Sequence, residues 1–188
     1  IGALTLVDFD YVDLSNLQRQ IMHRTADIKR LKTASALDAV QALNPLVKVS
    51  AIAHRLTAEE LLEQVRIADV VVDASDNLAT RLAINAACVQ AATPLVIGAA
   101  LRLEGQVLVW RPHGEGACYR CLYRTAHEPQ ETCTQSGVLA PLVGIIGSIQ
   151  ATEVLKILTG IGNPLDGRLL MLDAAQMEWQ TLRVKRWR

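Results

Sequence analysis

Short apolar runs alternate along this chain with longer segments in which apolar residues recur at helical spacing. Runs rich in Val, Leu and Ile at Leu4–Val7, Val47–Ile52, Val70–Val72, Leu95–Ile97 and Val107–Trp110 predict strands. Between them, Ala26–Leu43, Ala58–Ile67 and Ala79–Ala91 predict helices. Thr57 followed by Glu60 has capping-box spacing at the start of the second helix, and Asn44-Pro45 punctuates the end of the first. Such alternation implies an α/β sheet with mainly parallel strands in its first half. From Arg111 to Gly137 neither period holds, and a structureless stretch of that length inside a compact domain usually carries function. Beyond it the pattern predicts an apolar helix over Val138–Leu158, a turn over Gly160–Gly167, and strands at Arg168–Leu172 and Trp179–Val184. No internal repeat interrupts the series, so one domain over residues 1–188, with one long crossing loop, is expected.

Composition narrows the function classes. The 188 residues are 51% hydrophobic, enough for one sizeable core. The 19 basic and 19 acidic residues cancel, and no basic run precedes the terminal Arg183, Lys185, Arg186 and Arg188, so charge gives no case for a nucleic-acid or membrane partner. Three Trp, three Tyr and one Phe leave little for base stacking. The apolar stretch Val138–Ile161 is broken by Pro141, Gln150, Glu153 and Lys156 and reads as a buried helix, not a bilayer span. Four cysteines, two of them spaced C-x-x-C, suggest metal or redox chemistry in a reducing compartment, and the cytoplasm is the expected location.

In open α/β sheets, ligands sit beyond the carboxyl ends of parallel strands. Two strands end there in acids, Asp8 and Asp10 after the first and Asp73 and Asp76 after a later one. Converging carboxylates could hold ribose hydroxyls and a Mg²⁺ that bridges phosphates, although each acid alone could be a turn former or a cap. Arg19 and Lys32 are candidate cations for a triphosphate, but each could equally be a solvated surface charge. No G-x-G-x-x-G occurs in the sequence. Cys118 and Cys121 have zinc-knuckle spacing without a second pair, His113 and His127 have no paired spacing with them, and Cys88 reads as a buried small hydrophobe. Cys133, in the irregular stretch, is either a loop nucleophile or a thiol without a covalent role.

The run Val7-Asp-Phe-Asp-Tyr-Val-Asp-Leu-Ser-Asn-Leu-Gln-Arg-Gln20 resembles the signature of the ThiF/MoeB/HesA family, relatives of the ubiquitin-activating enzymes. The resemblance continues in order through Lys32, Asp73-Ala-Ser-Asp-Asn77 with Thr80-Arg81, Gly98-Ala-Ala, Glu104-Gly-Gln106, Cys118-Tyr-Arg-Cys121, Gly137–Gly144 and Gln150-Ala-Thr-Glu153. It implies a Rossmann-like sheet with helices on both faces, parallel in its first half and antiparallel in its C-terminal strands. The implied activity is ATP-dependent adenylation of the C-terminal glycine of a ubiquitin-like sulfur-carrier protein ending in Gly-Gly, ThiS- or MoaD-like, for thiamine or molybdopterin biosynthesis. Asp8 would take the ATP ribose, Asn16, Arg19 and Lys32 would surround the phosphates, and Asp76 with Asn77 would serve the nucleotide and its Mg²⁺. Cys118 and Cys121 would be half of a four-cysteine Zn²⁺ site, and Cys133 would be a candidate link to the carrier. The small-residue face Gly144, Gly147 and Ser148 on the apolar helix predicts a homodimer, the alternative being that those glycines only let the helix pack closely on its own sheet. A sulfurtransferase or cysteine desulfurase is the further partner that the resemblance implies.

The sequence departs from the family pattern in three respects: no Gly-rich loop or N-terminal helix precedes Leu4, no second C-x-x-C follows the last strand, and Leu31 stands before Lys32 where relatives commonly have Pro. A non-catalytic or truncated relative acting as a dimerisation module is the alternative. A nicotinamide-dependent dehydrogenase would share the sheet and the ribose acid but leaves the SNLQRQ run and the C-x-x-C unexplained.

Overall fold

The computed structural model describes residues 1–114, 116–123 and 137–186. In chain order the elements are β1 (Ala3–Val7), α1 (Lys32–Leu43), β2 (Lys48–Ile52), α2 (Ala58–Ile67), β3 (Val71–Asp73), α3 (Leu78–Ala91), β4 (Leu95–Leu101), β5 (Glu104–Trp110), α4 (Tyr119–Leu122), α5 (Ala140–Thr159), β6 (Arg168–Asp173) and β7 (Glu178–Arg183). They fall into two compact units, Ile1–Thr57 and Ala58–Arg188.

In the first unit β1 pairs in parallel with β2, Ala3 opposite Lys48, and α1 provides the crossover that a parallel pair needs. The helix begins at Lys32, not at Ala26 as the apolar spacing suggests. Residues 25–27 form a single 3-10 turn, Lys29 takes a left-handed φ of 71°, and Leu31 is extended, so the α-helical hydrogen-bond series cannot start earlier. What looked like a helical turn is instead the end of a loop folded back on itself. The Val12 N–H donates to the Arg30 carbonyl at 2.8 Å, the Lys29 N–H returns to the Val12 carbonyl at 2.9 Å, and the Val12 side chain is only 2% exposed. The buried Asp27 carboxylate accepts from the Arg24 amide at 2.9 Å and pairs with Arg30 at 2.6 Å, closing the loop's base. Beside it, partly buried His23 places Nδ1 2.8 Å from the Ser35 hydroxyl on α1.

The second unit is one five-stranded sheet in the order β3-β4-β5-β6-β7. β3 and β4 are parallel and every later pair is antiparallel, so the change of direction falls between β4 and β5. Both central strands are buried on both faces. Leu95, Ile97, Leu108 and Trp110 pack with Val65 of α2 and Ala87 and Cys88 of α3, while Val96, Val107 and Val109 pack with Leu142, Ile146 and Val154 of α5. This is why β4 and β5 read as continuous apolar runs without polar alternation.

α5 starts with Pro in its first turn and stops at Gly160, whose φ of 70° supplies the left-handed cap. Its length and apolarity match those of a membrane span. Its inward stripe nevertheless carries Gln150 and Glu153, both buried. Glu153 pairs with Lys156 and accepts from the Leu165 N–H at 2.8 Å. Gln150 donates to the carbonyls of Asp73 at 2.9 Å and Val96 at 3.4 Å. The sheet makes room for that amide at Gly98, where an added Cβ would lie 2.3 Å from Gln150 Cδ.

Two outcomes are expected. Gly98→Ala should cost about 2–4 kcal/mol in urea unfolding, from overpacking and loss of the buried amide's hydrogen bonds, and the loss should be non-additive with Gln150→Ala, which empties the same space. His23 titrates below its ordinary 6.5, chiefly because burial disfavours the charged ring. A depressed histidine contributes stability that is present above pH 6.5 and is lost as pH falls through the folded value. Stability measured from pH 7.5 down to pH 5 should therefore drop less in His23→Gln than in the parent chain.

Candidate functional site

In the first unit β1 delivers Asp8 and Asp10 to the start of the folded-back loop, and Asp10 reaches α1. Its carbonyl accepts the Lys32 N–H at 2.9 Å and its carboxylate takes the Lys32 ammonium at 2.8 Å. The same ammonium lies 3.7 Å from Asp8 Oδ2, while Asp8 Oδ1 accepts the Asp10 N–H at 2.8 Å. Lys32 is 14% exposed and the two acids are far more open, at 42% and 57%. The ammonium is thus held at the helix start by two more open carboxylates. Asn16 and Arg19 occupy one 3-10 turn over Leu14–Asn16 and its continuation. Asp13 caps that turn by accepting from Ser15, which holds its carboxyl below the usual range, and Asn16 Oδ1 returns the bond to the Asp13 N–H at 3.1 Å. Arg19 Nη1 donates to the Ser15 carbonyl at 3.0 Å, so the guanidinium lies along the turn with its other nitrogens turned to no described partner. Asp8 and Lys32 are brought together, as are Asn16 and Arg19.

In the second unit β3 runs into Asp73, which is 1% exposed and points inward. Its Oδ1 accepts the Ser75 N–H at 2.8 Å, whereas Oδ2 and the Ser75 hydroxyl have no hydrogen-bond partner among the described residues. Burial pushes the Asp73 carboxyl above the ordinary carboxylate range. Of the two acids at this strand end, Asp73 is structural and Asp76 is the one presented to solvent. Asn77 caps α3, its Oδ1 accepting the Thr80 N–H at 2.9 Å. A direct ligand role for the Asn77 oxygen competes with that cap. Between Asp73 and the helix sits a group that the reading of the sequence left out of the site. Arg81 donates from Nε and Nη2 to the Ser75 carbonyl at 3.1 and 2.6 Å, holding the peptide bond that carries Asp76. A cation in the first turn of a helix opposes the macrodipole and usually signals a specific acceptor, which was the available clue.

Cys118 opens a four-residue helix, α4, and not a bare loop. Its sulfur lies 3.7 Å from that of Cys121, both thiols partly buried. A tetrahedral Zn²⁺ with bonds of about 2.3 Å separates neighbouring sulfurs by about 3.8 Å, so the spacing fits two of its four ligands. No group of three or more His, Cys, Asp or Glu side chains suited to a metal occurs among the described residues. Cys88 is wholly buried and its thiol is pushed up to about 12 by desolvation, which makes it inert near neutral pH. Cys133 and His127 lie outside the described residues.

Similarity to known proteins extends along nearly the whole chain. The ThiF family matches residues 1–188. The sulfur carrier protein ThiS adenylyltransferase of Escherichia coli (strain K12) is 44% identical over 186 residues, 99% of this chain and 74% of that protein. The molybdopterin-synthase adenylyltransferase of the same organism is 43% identical over 186 residues, 99% of this chain and 75% of its own length. Among solved structures, E. coli MccB with MccA-N7isoASN superposes with a TM-score of 0.86 at 21% identity, over 99% of this chain and 58% of that one. SeMet PaaA superposes with a TM-score of 0.78 at 24% identity, over 100% and 58%. These two establish the fold, and this chain spans less than two thirds of either. With the family matched from end to end and relatives at this identity along nearly its entire length, the chain belongs to the ThiF family.

Proposed function

We infer that this protein is an adenylyltransferase that uses ATP to activate the C-terminal glycine carboxylate of a ubiquitin-like sulfur-carrier protein in thiamine or molybdopterin biosynthesis. The observation that carries the reading is the similarity, along 99% of the chain, to two adenylyltransferases named for such carriers or their synthase. In the reaction a carboxylate oxygen attacks the α-phosphorus of ATP, the α–β bridging P–O bond breaks, and pyrophosphate leaves with that electron pair. The product is a mixed anhydride between the glycine and AMP.

The parts assigned to this chain are electrostatic and positional. Asp8 accepts from the ribose hydroxyls. Phosphate oxygens displace the carboxylates from Lys32, and Arg19 turns its free guanidinium edge to them, stabilising negative charge as pyrophosphate departs. Asn16 fixes the turn that carries Arg19. Asp76, open at the start of α3, would hold Mg²⁺, which would neutralise phosphate charge when bound. No nucleophilic side chain is required for this step, since positioning and charge stabilisation suffice. Cys118 and Cys121 would hold Zn²⁺ as a structural ion, contributing folding free energy and no chemistry to the adenylation. Cys133 would act after adenylation, as the thiol that takes up the carrier.

A homodimer is the assembly we propose. Gly144 and Gly147 face open space on α5, with exposed Ser148, Ala151, Thr152 and Leu155 on the same side. The glycines therefore do not serve to bring the helix close to its own sheet, and the outer stripe is shaped for close approach of a second apolar surface.

Pyrophosphate exchange into ATP should require a carrier ending in Gly-Gly. Asp76→Ala and Arg19→Ala should each lower its kcat by about 100-fold or more, and exchange at the parent rate in either variant would remove that residue from the site. Gly147→Arg should convert a sedimenting dimer into a folded monomer, because exposed helical Gly→Arg itself favours the helix. The 188-residue chain should lose zinc to EDTA, as two thiolates do not close a site; metal analysis showing one retained ion would mean that the ligand set is wider than the described residues.

A further inference from the structure

Side chains that the adenylation reading leaves unused join the acid loop to the cysteine turn. The carbonyl that Arg81 grips with Nε and Nη2 belongs to the Ser75–Asp76 peptide, so the guanidinium fork fixes the backbone from which the Asp76 carboxylate projects. On the other side of Asp76 the chain is pinned by the Asn77 cap. The remaining guanidinium nitrogen, Nη1, lies 3.4 Å from the phenol oxygen of Tyr119. One turn further along α3, Asn85 Oδ1 accepts the Tyr119 N–H at 2.8 Å. Arg81 and Asn85 stand at i and i+4 on one helix face, so α3 holds Tyr119 at both its hydroxyl and its backbone. Tyr119 is 3% exposed and sits directly between Cys118 and Cys121 in the sequence of α4. Its ring also packs tilted against that of Tyr123, centroids 4.6 Å apart, and the Tyr123 hydroxyl is hydrogen-bonded to Gln106 on β5. The turn carrying the thiols is therefore anchored, and a polar link from it toward the acid loop runs through one tyrosine hydroxyl and one guanidinium.

We propose that Arg81 is a positioning residue for the adenylation reaction and that, through Tyr119, it transmits the placement of the Cys118–Cys121 turn to Asp76. The proposal rests on the functional reading above. A Lys at this position could not replace the fork, because one ammonium cannot occupy both sides of the Ser75 carbonyl and the phenol in fixed geometry.

Three variants of the full-length protein test it. Tyr119→Phe keeps the ring and the Asn85 bond and removes only the hydroxyl, while Arg81→Lys keeps the charge and removes the fork. Each should raise the Mg²⁺ concentration for half-maximal pyrophosphate exchange by about tenfold, with a smaller change in kcat at saturating Mg²⁺. Cys118→Ala/Cys121→Ala should shift the Mg²⁺ requirement in the parent protein and add nothing further in Tyr119→Phe. Hydrogen exchange supplies a readout that does not depend on activity. The amides of Asp76 and Asn77 should exchange about tenfold faster in Tyr119→Phe, while Val96 and Leu108 in the sheet keep their protection. Unchanged Mg²⁺ dependence and unchanged amide exchange in Tyr119→Phe would overturn the link, as would cysteine effects that add in full to it. Loss of carrier-dependent exchange in the parent protein, with the amides of the acid loop still responding to Tyr119→Phe, would instead defeat the adenylation reading and leave the mechanical link standing.

Discussion

One buried amide organises the second unit. The Gln150 side chain projects from α5 into the space that Gly98 leaves in β4 and donates to the carbonyls at the end of β3 and in β4. Apolar contact alone would let a helix slide on a flat sheet, because dispersion is indifferent to register. A buried amide that must find its acceptors fixes the register, since leaving it unpaired would cost about 1–3 kcal/mol. The acceptor it takes at Asp73 is the last residue of β3, so the element that covers the sheet also sets where the strand ends and the acid loop begins.

That strand end is built from polar groups kept out of water. Asp73 turns its carboxylate inward to the Ser75 amide and leaves Oδ2 without a described partner, and Arg81 answers from the helix side. A buried acid with an unmet oxygen is an unfavourable element for stability, and such a feature is retained where it shapes something else. Here it turns the chain sharply, so that three residues later Asp76 emerges at the start of α3 while Asp73 stays buried. The two acids look equivalent in the sequence, and burial separates them into a structural one and a presented one.

The sequence made the central strands legible because double-sided burial writes itself as unbroken apolar runs, as in β4 and β5, whereas α2 showed itself by apolar residues at helical spacing among charged ones. It misplaced the start of α1 because Ile28, Leu31 and Ser35 continue the helix's spacing backwards while the backbone at Lys29 is left-handed, as the Val12–Arg30 pairing across the loop requires. Long-range backbone pairing of this kind leaves no periodic trace. In the candidate site, the acids at strand ends and the cations Arg19 and Lys32 stood out by residue type and position. The Lys32 pairing with Asp10, and the cap at Asn77, are local geometry that only coordinates supply. Arg81 was visible only as part of the family pattern, because its work is done on a backbone carbonyl, and carbonyls are anonymous in a sequence.

Lys32 in the first unit and Arg81 in the second are held by partners of different kinds. Lys32 is held by exposed carboxylates, a pairing worth little in water and easily given up to a phosphate. Arg81 is held by a backbone carbonyl and a buried tyrosine, partners that no ligand replaces. The first arrangement keeps a cation available while preventing it from wandering, and the second keeps a peptide rigid whether or not nucleotide is present. In the proposed adenylation, charge stabilisation must reach phosphates that arrive with the ligand, whereas an acid that received the metal would gain nothing from moving. Within the second unit the fixed bonds of Arg81 run from the Ser75 carbonyl to the Tyr119 hydroxyl beside the thiol turn, the part of the chain that metal binding would stiffen further.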